Sequence, residues 1–251
     1  MEELTAMAAL NQDQKTAVEI QRAYYAQTAN RYDDMHLHGG DDEHQLALRF
    51  MASAVEPLGI RSILDIGCGT GRGLLTIKQA MPGATALGIE PSAQLRDIGY
   101  SKGLSKDELI DGDAMALAFP DGAFDLVCEF ATLHHVPQPS QAVSEMLRVA
   151  RRAIFISDNN NFGQGSWVAR LTKQLINAAG LWPIADLIKT RGKGYTISEG
   201  DGLFYSYSVF NDYKQIAEQC ETVHLLGTVN SGPNLYRTAS RVALLGIKRQ
   251  A

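Results

Sequence analysis

Residues 63–73 read I-L-D-I-G-C-G-T-G-R-G. Apolar residues with one acid among them form a short buried strand, and glycines at 67, 69, 71 and 73 follow as a tight turn into a helix. Glycine tolerates positive φ and admits a ligand against bare backbone. A glycine-rich turn between a strand and a helix N-terminus is a common nucleotide cradle. The dinucleotide pattern G-x-G-x-x-G fails here: counted from Gly67 the third glycine would be Arg72, and counted from Gly69 it would be Leu74. No Gly-Lys-Ser/Thr follows, so the phosphate-cradling loop fails too. The loop has the turn chemistry of a nucleotide site without its phosphate-reading pattern; the plain alternative is an ordinary βα turn.

Working outward, strands alternate with helices. Leu74 to Met81 reads as a helix stopped by Pro82-Gly83, and Ala84 to Ile89 as a second strand. Ser92 caps a helix to about Lys102, and Glu108 to Ile110 is a short third strand. Phe124 to Phe130 is nearly all apolar, as a strand buried on both faces requires. Ser140 to Ala150 is a helix and Ala153 to Ser157 a fifth strand. The alternation predicts an α/β fold: a Rossmann-like, doubly wound, mostly parallel sheet. Two last strands, near Thr222 to Thr228 and Arg241 to Ile247, bring the sheet to seven. Their short connection around Gly232-Pro233 makes them an antiparallel pair.

Residues 1–60 are expected to form an N-terminal helical cap, with helices over about 3–28 and 43–55 and a loop at M-H-L-H-G-G-D-D-E-H. Residues 61–251 are the core. Within it, 159–208 is too long for a plain connection and reads as a substrate-side insertion: a helix from Ser166 to Ala179, then the loop-like G-L-W-P and T-R-G-K-G-Y-T-I-S-E-G-D-G. Between Trp167 and Lys193 lie Arg170, Lys173, Lys189, Arg191 and Lys193 against Asp186 alone. That bias is either a solvated face or the mouth for an anionic substrate. Trp182, Tyr195, Phe204, Tyr205 and Tyr207 stack on a ring or pack the cap.

Composition narrows the class. The 251 residues are 45% hydrophobic and 20% charged, with a formal net charge of -5, so no general attraction to nucleic acid is expected. Cys68, Cys128 and Cys220 lack metal-ligand spacing and suggest reduced thiols. An acidic N-terminus without a basic n-region and no run of 18 apolar residues predict a cytoplasmic protein with no membrane span. Monomer and homodimer both stay open.

Two acids stand at the next strand ends. Glu90 falls 23 residues after Gly67, where a carboxylate accepts both ribose hydroxyls of an adenosine. Asp113 follows the third strand in G-D-A, with Asp111 as a competitor two residues away. The elements D-I-G-C-G-T-G, E-P-S, G-D-A and F-P-D-G-A-F-D-L-V, in that order, resemble class I S-adenosylmethionine (SAM) methyltransferases. The likeness is to the branch of ubiquinone and menaquinone enzymes and small-molecule or sugar O-methyltransferases. It covers about residues 60–157. It implies SAM as cofactor and S-adenosylhomocysteine (SAH) as product. Gly67, Cys68 and Gly69 face the amino-acid end and Asp65 positions its amine. Glu90 and Pro91 take the ribose, and Asp113 with the Ala114 amide reads adenine. Phe130, Tyr25 and Tyr32 close over the sulfonium, which favours aromatic faces.

The same resemblance places His134 and His135, in A-T-L-H-H-V-P, beside the transferable methyl, with His135 preferred. A histidine takes a proton near neutral pH, which suits a hydroxyl acceptor. Asp158, at the end of the fifth strand, would orient His135 or meet the substrate. Asp158-Asn159 with Glu129 also resembles part of the metal set of catechol-type methyltransferases, but the match is incomplete and no metal residue is assigned. The expected activity is methyl transfer to a small molecule, first to a hydroxyl oxygen. Rivals are C- or N-methylation, aminopropyl transfer, and SAM binding without catalysis.

Overall fold

The computed structural model describes residues 18–33, 41–198 and 202–249. The expected loop at residues 35–44 and the helix start before residue 18 fall largely outside them. Helix α1 (18–28) runs into a 3-10 turn at Ala29–Arg31, and α2 spans Asp41–Val55. Then β1 (Ser62–Ile66), α3 (Arg72–Ala80), β2 (Thr85–Ile89), α4 (Ala93–Ser101), β3 (Leu109–Ile110), β4 (Phe124–Phe130), α5 (Pro139–Val149) and β5 (Ala150–Asn159) follow. The excursion after β5 holds α6 (Trp167–Ala178), α7 (Trp182–Lys189), β6 (Tyr195–Ser198) and β7 (Gly202–Tyr205). The chain closes with α8 (Tyr213–Gln219), β8 (Cys220–Val229), α9 (Leu235–Thr238) and β9 (Arg241–Lys248).

Seven strands form one sheet in the order β3-β2-β1-β4-β5-β9-β8. The first five pair in parallel, while β9 is antiparallel to both β5 and β8. The strand order reverses between β1 and β4, the switch point where ligands of open α/β sheets sit. Successive residues point to opposite faces. Ile63, Leu126, Phe155 and Leu245 therefore pack under Met51, Val55 and Ile77 on one side. Their neighbours Leu64, Val127, Ile154 and Leu244 pack under Val143, Met146 and Ile216 on the other. The first acid of β4, Asp125, is buried at the strand's start, where it accepts from the Arg61 and Ser62 amides and from Arg151.

The insertion differs from expectation. Its supposed loops hold a second helix, α7, and an antiparallel hairpin, β6–β7. Turn-forming glycines there masked short elements. Gly192 and Gly194 both take positive φ just before β6, and Gly202 does so as β7 begins.

Candidate functional site

The β1–α3 loop is built around left-handed glycines at Gly67, Gly69 and Gly71. Gly67 has φ +66°, and a Cβ there would lie 2.3 Å from Thr132 Cγ2. The site thus needs glycine twice, for backbone conformation and for space. The Gly67 and Cys68 amides both donate to the Ile89 carbonyl, which fixes the loop against β2. Thr132, just after β4, donates its hydroxyl to the Ile66 and Gly67 carbonyls.

Two chambers flank this loop, of about 920 and 900 Å³ with open solvent included. Tyr32, Gly67, Phe130, Ala131 and His135 line both and so mark their junction. Ala131 has φ +58°, a conformation that strains a non-glycine residue, and its amide donates to the Ser157 carbonyl. The strained residue sits at the bend where β4 hands the chain to the two histidines.

The second chamber gathers Glu90, Pro91, Asp113, Ala114 and Tyr25. Glu90 is buried and accepts from the Ser92 amide at 2.8 Å and the Gly69 amide at 3.1 Å. Burial pushes its carboxyl up to about 7, against the pull of those two amides. Asp113 accepts from the Met115 amide at 2.9 Å. Its competitor Asp111 is exposed, ion-paired with Arg96 at 2.8 Å, and lines neither chamber. Tyr25 stands edge-on to Tyr32 at 5.6 Å and to His135 at 6.2 Å.

The first chamber gathers Asp65, Cys68, Arg72, His44, Arg241 and His134. Asp65 is buried, and burial with the nearby Glu90 charge raises its carboxyl to about 7, while a Cys128 contact opposes the shift. Burial also drives the Cys68 thiol and the Tyr32 hydroxyl upward, so both stay neutral. Gly69 lines neither chamber; its amide is spent on Glu90. At the outer end of the N-terminal segment, Asp33 accepts from Thr70 at 2.7 Å and pairs with Lys102 at 2.5 Å. Sequence reasoning passed over this tie, which pins the Tyr32 segment to the glycine loop; it joins residues 37 apart and leaves no local pattern.

The histidines divide their roles. His134 is buried and its Nδ1 lies 2.6 Å from Asp158 Oδ1. Asp158 is fully buried and lines neither chamber, so it orients His134, not His135, and does not face the cleft. Burial opposes its charge, but His134 and the Asn159 amide outweigh burial and hold the carboxyl below its usual range. Glu129 on the neighbouring strand is driven well above the usual carboxylate range by burial and by Asp158. His134 in turn supports His135: the rings are 4.0 Å apart, and Phe204 backs His134 at 5.0 Å. His135 Nδ1 lies 2.6 Å from the Leu203 carbonyl of β7.

The asparagine run after Asp158 is structural. Asn159 accepts from Gln164, and Asn160 donates to the carbonyls of Leu235 and Tyr236 in α9 and of Ala239 just after it. The basic residues of the insertion line neither chamber, so of their two readings the mouth for an anionic substrate is not the one these chambers offer. Lys173 turns inward to the Asn161 carbonyl, and Lys189 reaches Ser206 and Asp186. The aromatics there pack on one another: Trp182 on Phe162, and Tyr195 on Tyr205. The guanidinium groups at the chambers are instead those of Arg22, Arg72 and Arg241.

Residues 64–155 match the family model described as a methyltransferase domain. A demethylmenaquinone methyltransferase from Roseiflexus castenholzii is 38% identical over 89 residues, 35% of this chain and 37% of that protein. One from Staphylococcus aureus is 28% identical over 145 residues, 55% of this chain and 59% of that protein. The chain thus spans between a third and three fifths of the length of these relatives. Among solved structures, the plantazolicin methyltransferase BpumL in complex with SAH aligns with TM-score 0.59 at 14% identity, covering 95% of this chain and 98% of that one. A SAM-dependent methyltransferase from Thermotoga maritima, described as a possible histamine N-methyltransferase, aligns with TM-score 0.56 at 19% identity, covering 90% and 99%. At these identities the structures share the fold.

Proposed function

We propose that this chain, which carries a class I SAM-dependent methyltransferase domain, moves the methyl group of SAM to a small-molecule acceptor at the junction of the two chambers. The residues present suit SAM. Gly67 lines both chambers with bare backbone, and Glu90 and Asp113 stand at successive strand ends in one of them. Glu90 would hold the ribose hydroxyls, and Asp113 with the Ala114 amide the adenine. Asp65 and Cys68 lie on the amino-acid side with Arg72, a cation suited to a carboxylate. Bound there, SAM supplies an electrophilic methyl group. Tyr25, Tyr32 and Phe130 present aromatic faces, which favour a positive centre and exclude water.

The observation that carries the reaction is His135. It lines both chambers, and its Nδ1 hydrogen is spent on the Leu203 carbonyl, so the ring lone pair is on Nε2. A hydroxyl acceptor beside Nε2 gives up its proton to it as the methyl arrives. Such general-base help is worth about 10²–10⁴-fold. His134 and Asp158 act behind it by fixing the ring on which His135 stacks.

A second reading is transfer to a ring carbon, favoured by the demethylmenaquinone methyltransferases among the relatives. There His135 would take the proton of a ring hydroxyl and enrich the carbon. Incubation with methyl-labelled SAM and a panel of phenolic, sugar and hydroquinone acceptors, followed by mass spectrometry and NMR of the product, tests both. A methoxy product supports oxygen transfer, a ring methyl supports carbon, and no labelled product from any acceptor in a chain that binds SAM points to a binding protein.

A further inference from the structure

Helices α6 and α7 are turned inside out for helices in water. Trp167, Leu171 and Leu175 form one stripe along α6 and are 69%, 47% and 62% exposed. Leu181, just before α7, and Ile184 and Ile188 within it are 52%, 59% and 74% exposed. The polar face of α6 is the one packed inward. Lys173 donates to the Asn161 carbonyl, Gln174 to the Phe162 carbonyl and Asn177 to the Tyr236 hydroxyl. The inward polar contacts are specific and fix the rotation of the helix, so the apolar stripe faces outward by construction. Soluble monomers rarely leave a contiguous apolar patch larger than a few hundred Å² uncovered.

The charge around the patch says what covers it. Between Trp167 and Ser198 stand Arg170, Lys173, Lys189, Arg191 and Lys193 against one acid, Asp186, in a chain of net charge -5. Asp186 is itself engaged by Ser206 and Lys189. Arg191 and Lys193 are exposed in the turn that follows α7. Leu, Ile and Trp on one face with Lys and Arg beside it is the pattern of a helix lying in a lipid headgroup layer, drawn there by anionic lipid. A second copy is the poorer fit, because a two-fold contact through this face would set the same basic residues against each other.

We propose that the α6–α7 hairpin docks on the surface of a bilayer containing anionic phospholipid, inserting its apolar stripe to the depth of the headgroups. No helix among the described residues is long and apolar enough to cross a membrane, so the contact is interfacial. The hairpin belongs to the same excursion that begins at Asp158 and returns through Leu203 against His135, so docking and the candidate site share one segment of chain.

Vesicle binding tests this without reference to activity. Full-length protein is sedimented with phosphatidylcholine vesicles with and without phosphatidylglycerol. Binding is expected with phosphatidylglycerol only, weakening as salt is raised. The chain has two tryptophans. In Trp182→Phe, the remaining Trp167 is expected to shift its emission to the blue on binding. Leu171→Asp and Ile188→Asp, on exposed positions that tolerate a charge, are expected to lower partitioning by about tenfold or more. No binding to either vesicle, or binding unchanged in both aspartate variants, overturns the proposal. So does a concentration-dependent dimer in sedimentation velocity that Ile188→Asp dissolves, which would assign the face to a second copy. Methyl transfer to a water-soluble acceptor is expected to be unchanged in Ile188→Asp, so the two proposals fail separately.

Discussion

The Nδ1 atom of His135 lies 2.6 Å from the backbone carbonyl of Leu203, a residue 68 positions later in the chain. A carbonyl carries no hydrogen, so Nδ1 is the donor and the tautomer is fixed. The basic nitrogen of His135 is therefore Nε2, and a strand of the insertion holds the ring through Nδ1.

Replacing His135 by alanine is expected to cut turnover about 10²–10⁴-fold while SAM affinity changes by less than about threefold. His135→Gln keeps a polar group but not the base, and is expected to behave like alanine. Steady-state rates and calorimetry with SAM measure the two effects. Full activity in both variants would end the base role.

Glu90 makes both stability and cofactor binding depend on pH. Its carboxyl titrates at about 7 in the folded chain against 4.5 for an ordinary glutamate. Between those values the folded state holds a proton that the unfolded state has lost. Stability of the free protein is therefore expected to fall as pH rises from about 4.5 to 7, by an amount on the order of 3 kcal/mol. Ribose hydroxyls need the ionised form as acceptor, so SAM affinity should rise over the same window, at most about tenfold per unit. Glu90→Gln should remove its own share of that dependence and leave the comparable share of Asp65, whose carboxyl is raised from 3.8 to about 7. Thermal melts with and without SAM from pH 5 to about 8 check both signs.

Asp113→Ala is expected to weaken SAM binding about tenfold or more, whereas Asp111→Ala should leave it within about twofold. The reason is placement: Asp113 lines the chamber, and Asp111 pairs with Arg96 at an exposed site where ion pairs contribute little. Equal effects from the two variants would overturn the adenine assignment.

His134→Ala leaves Asp158 buried without its ring partner and is expected to destabilise the fold by about 3–5 kcal/mol, seen in urea denaturation. The wild-type contribution has a defined pH sign. Because Asp158 is held below the usual carboxylate range, its stabilisation is present above that range and lost as pH falls through the lowered value. The loss in His134→Ala should accordingly be smaller in acid than at neutral pH.

Gly67→Ala should lower the melting temperature and abolish SAM binding. The left-handed backbone alone costs about 1–2 kcal/mol, and the added Cβ meets Thr132. Thr132→Ala in the same chain removes the close atoms but not the backbone strain, so it should recover part of the stability. Recovery measured by a double-mutant cycle separates the two causes.

The core was legible because its signals are local. Strand and helix periodicities, the glycine turn, Glu90 and Asp113 each depend on a few neighbouring residues, and the parallel alternation then forces them to one edge of the sheet. The insertion was read less well. Its short strands and α7 are flanked by glycines, and α7 carries Pro183 in its first turn, so propensity alone reads them as loop.

What the sequence determined by itself is the seven-stranded architecture, with the glycine turn, Glu90 and Asp113 at one edge of its sheet. Only the tertiary structure decided how those residues are used. It paired Asp158 with His134 because β4 and β5 are adjacent, and it left His135 to a carbonyl of β7. It turned the lysines of the insertion away from the chambers and the apolar face of α6 and α7 outward. A helix's amphipathic pattern defines two faces but not which one meets the protein. That choice is made by partners outside the helix, here the Asn161 and Phe162 carbonyls beyond β5 and the Tyr236 hydroxyl.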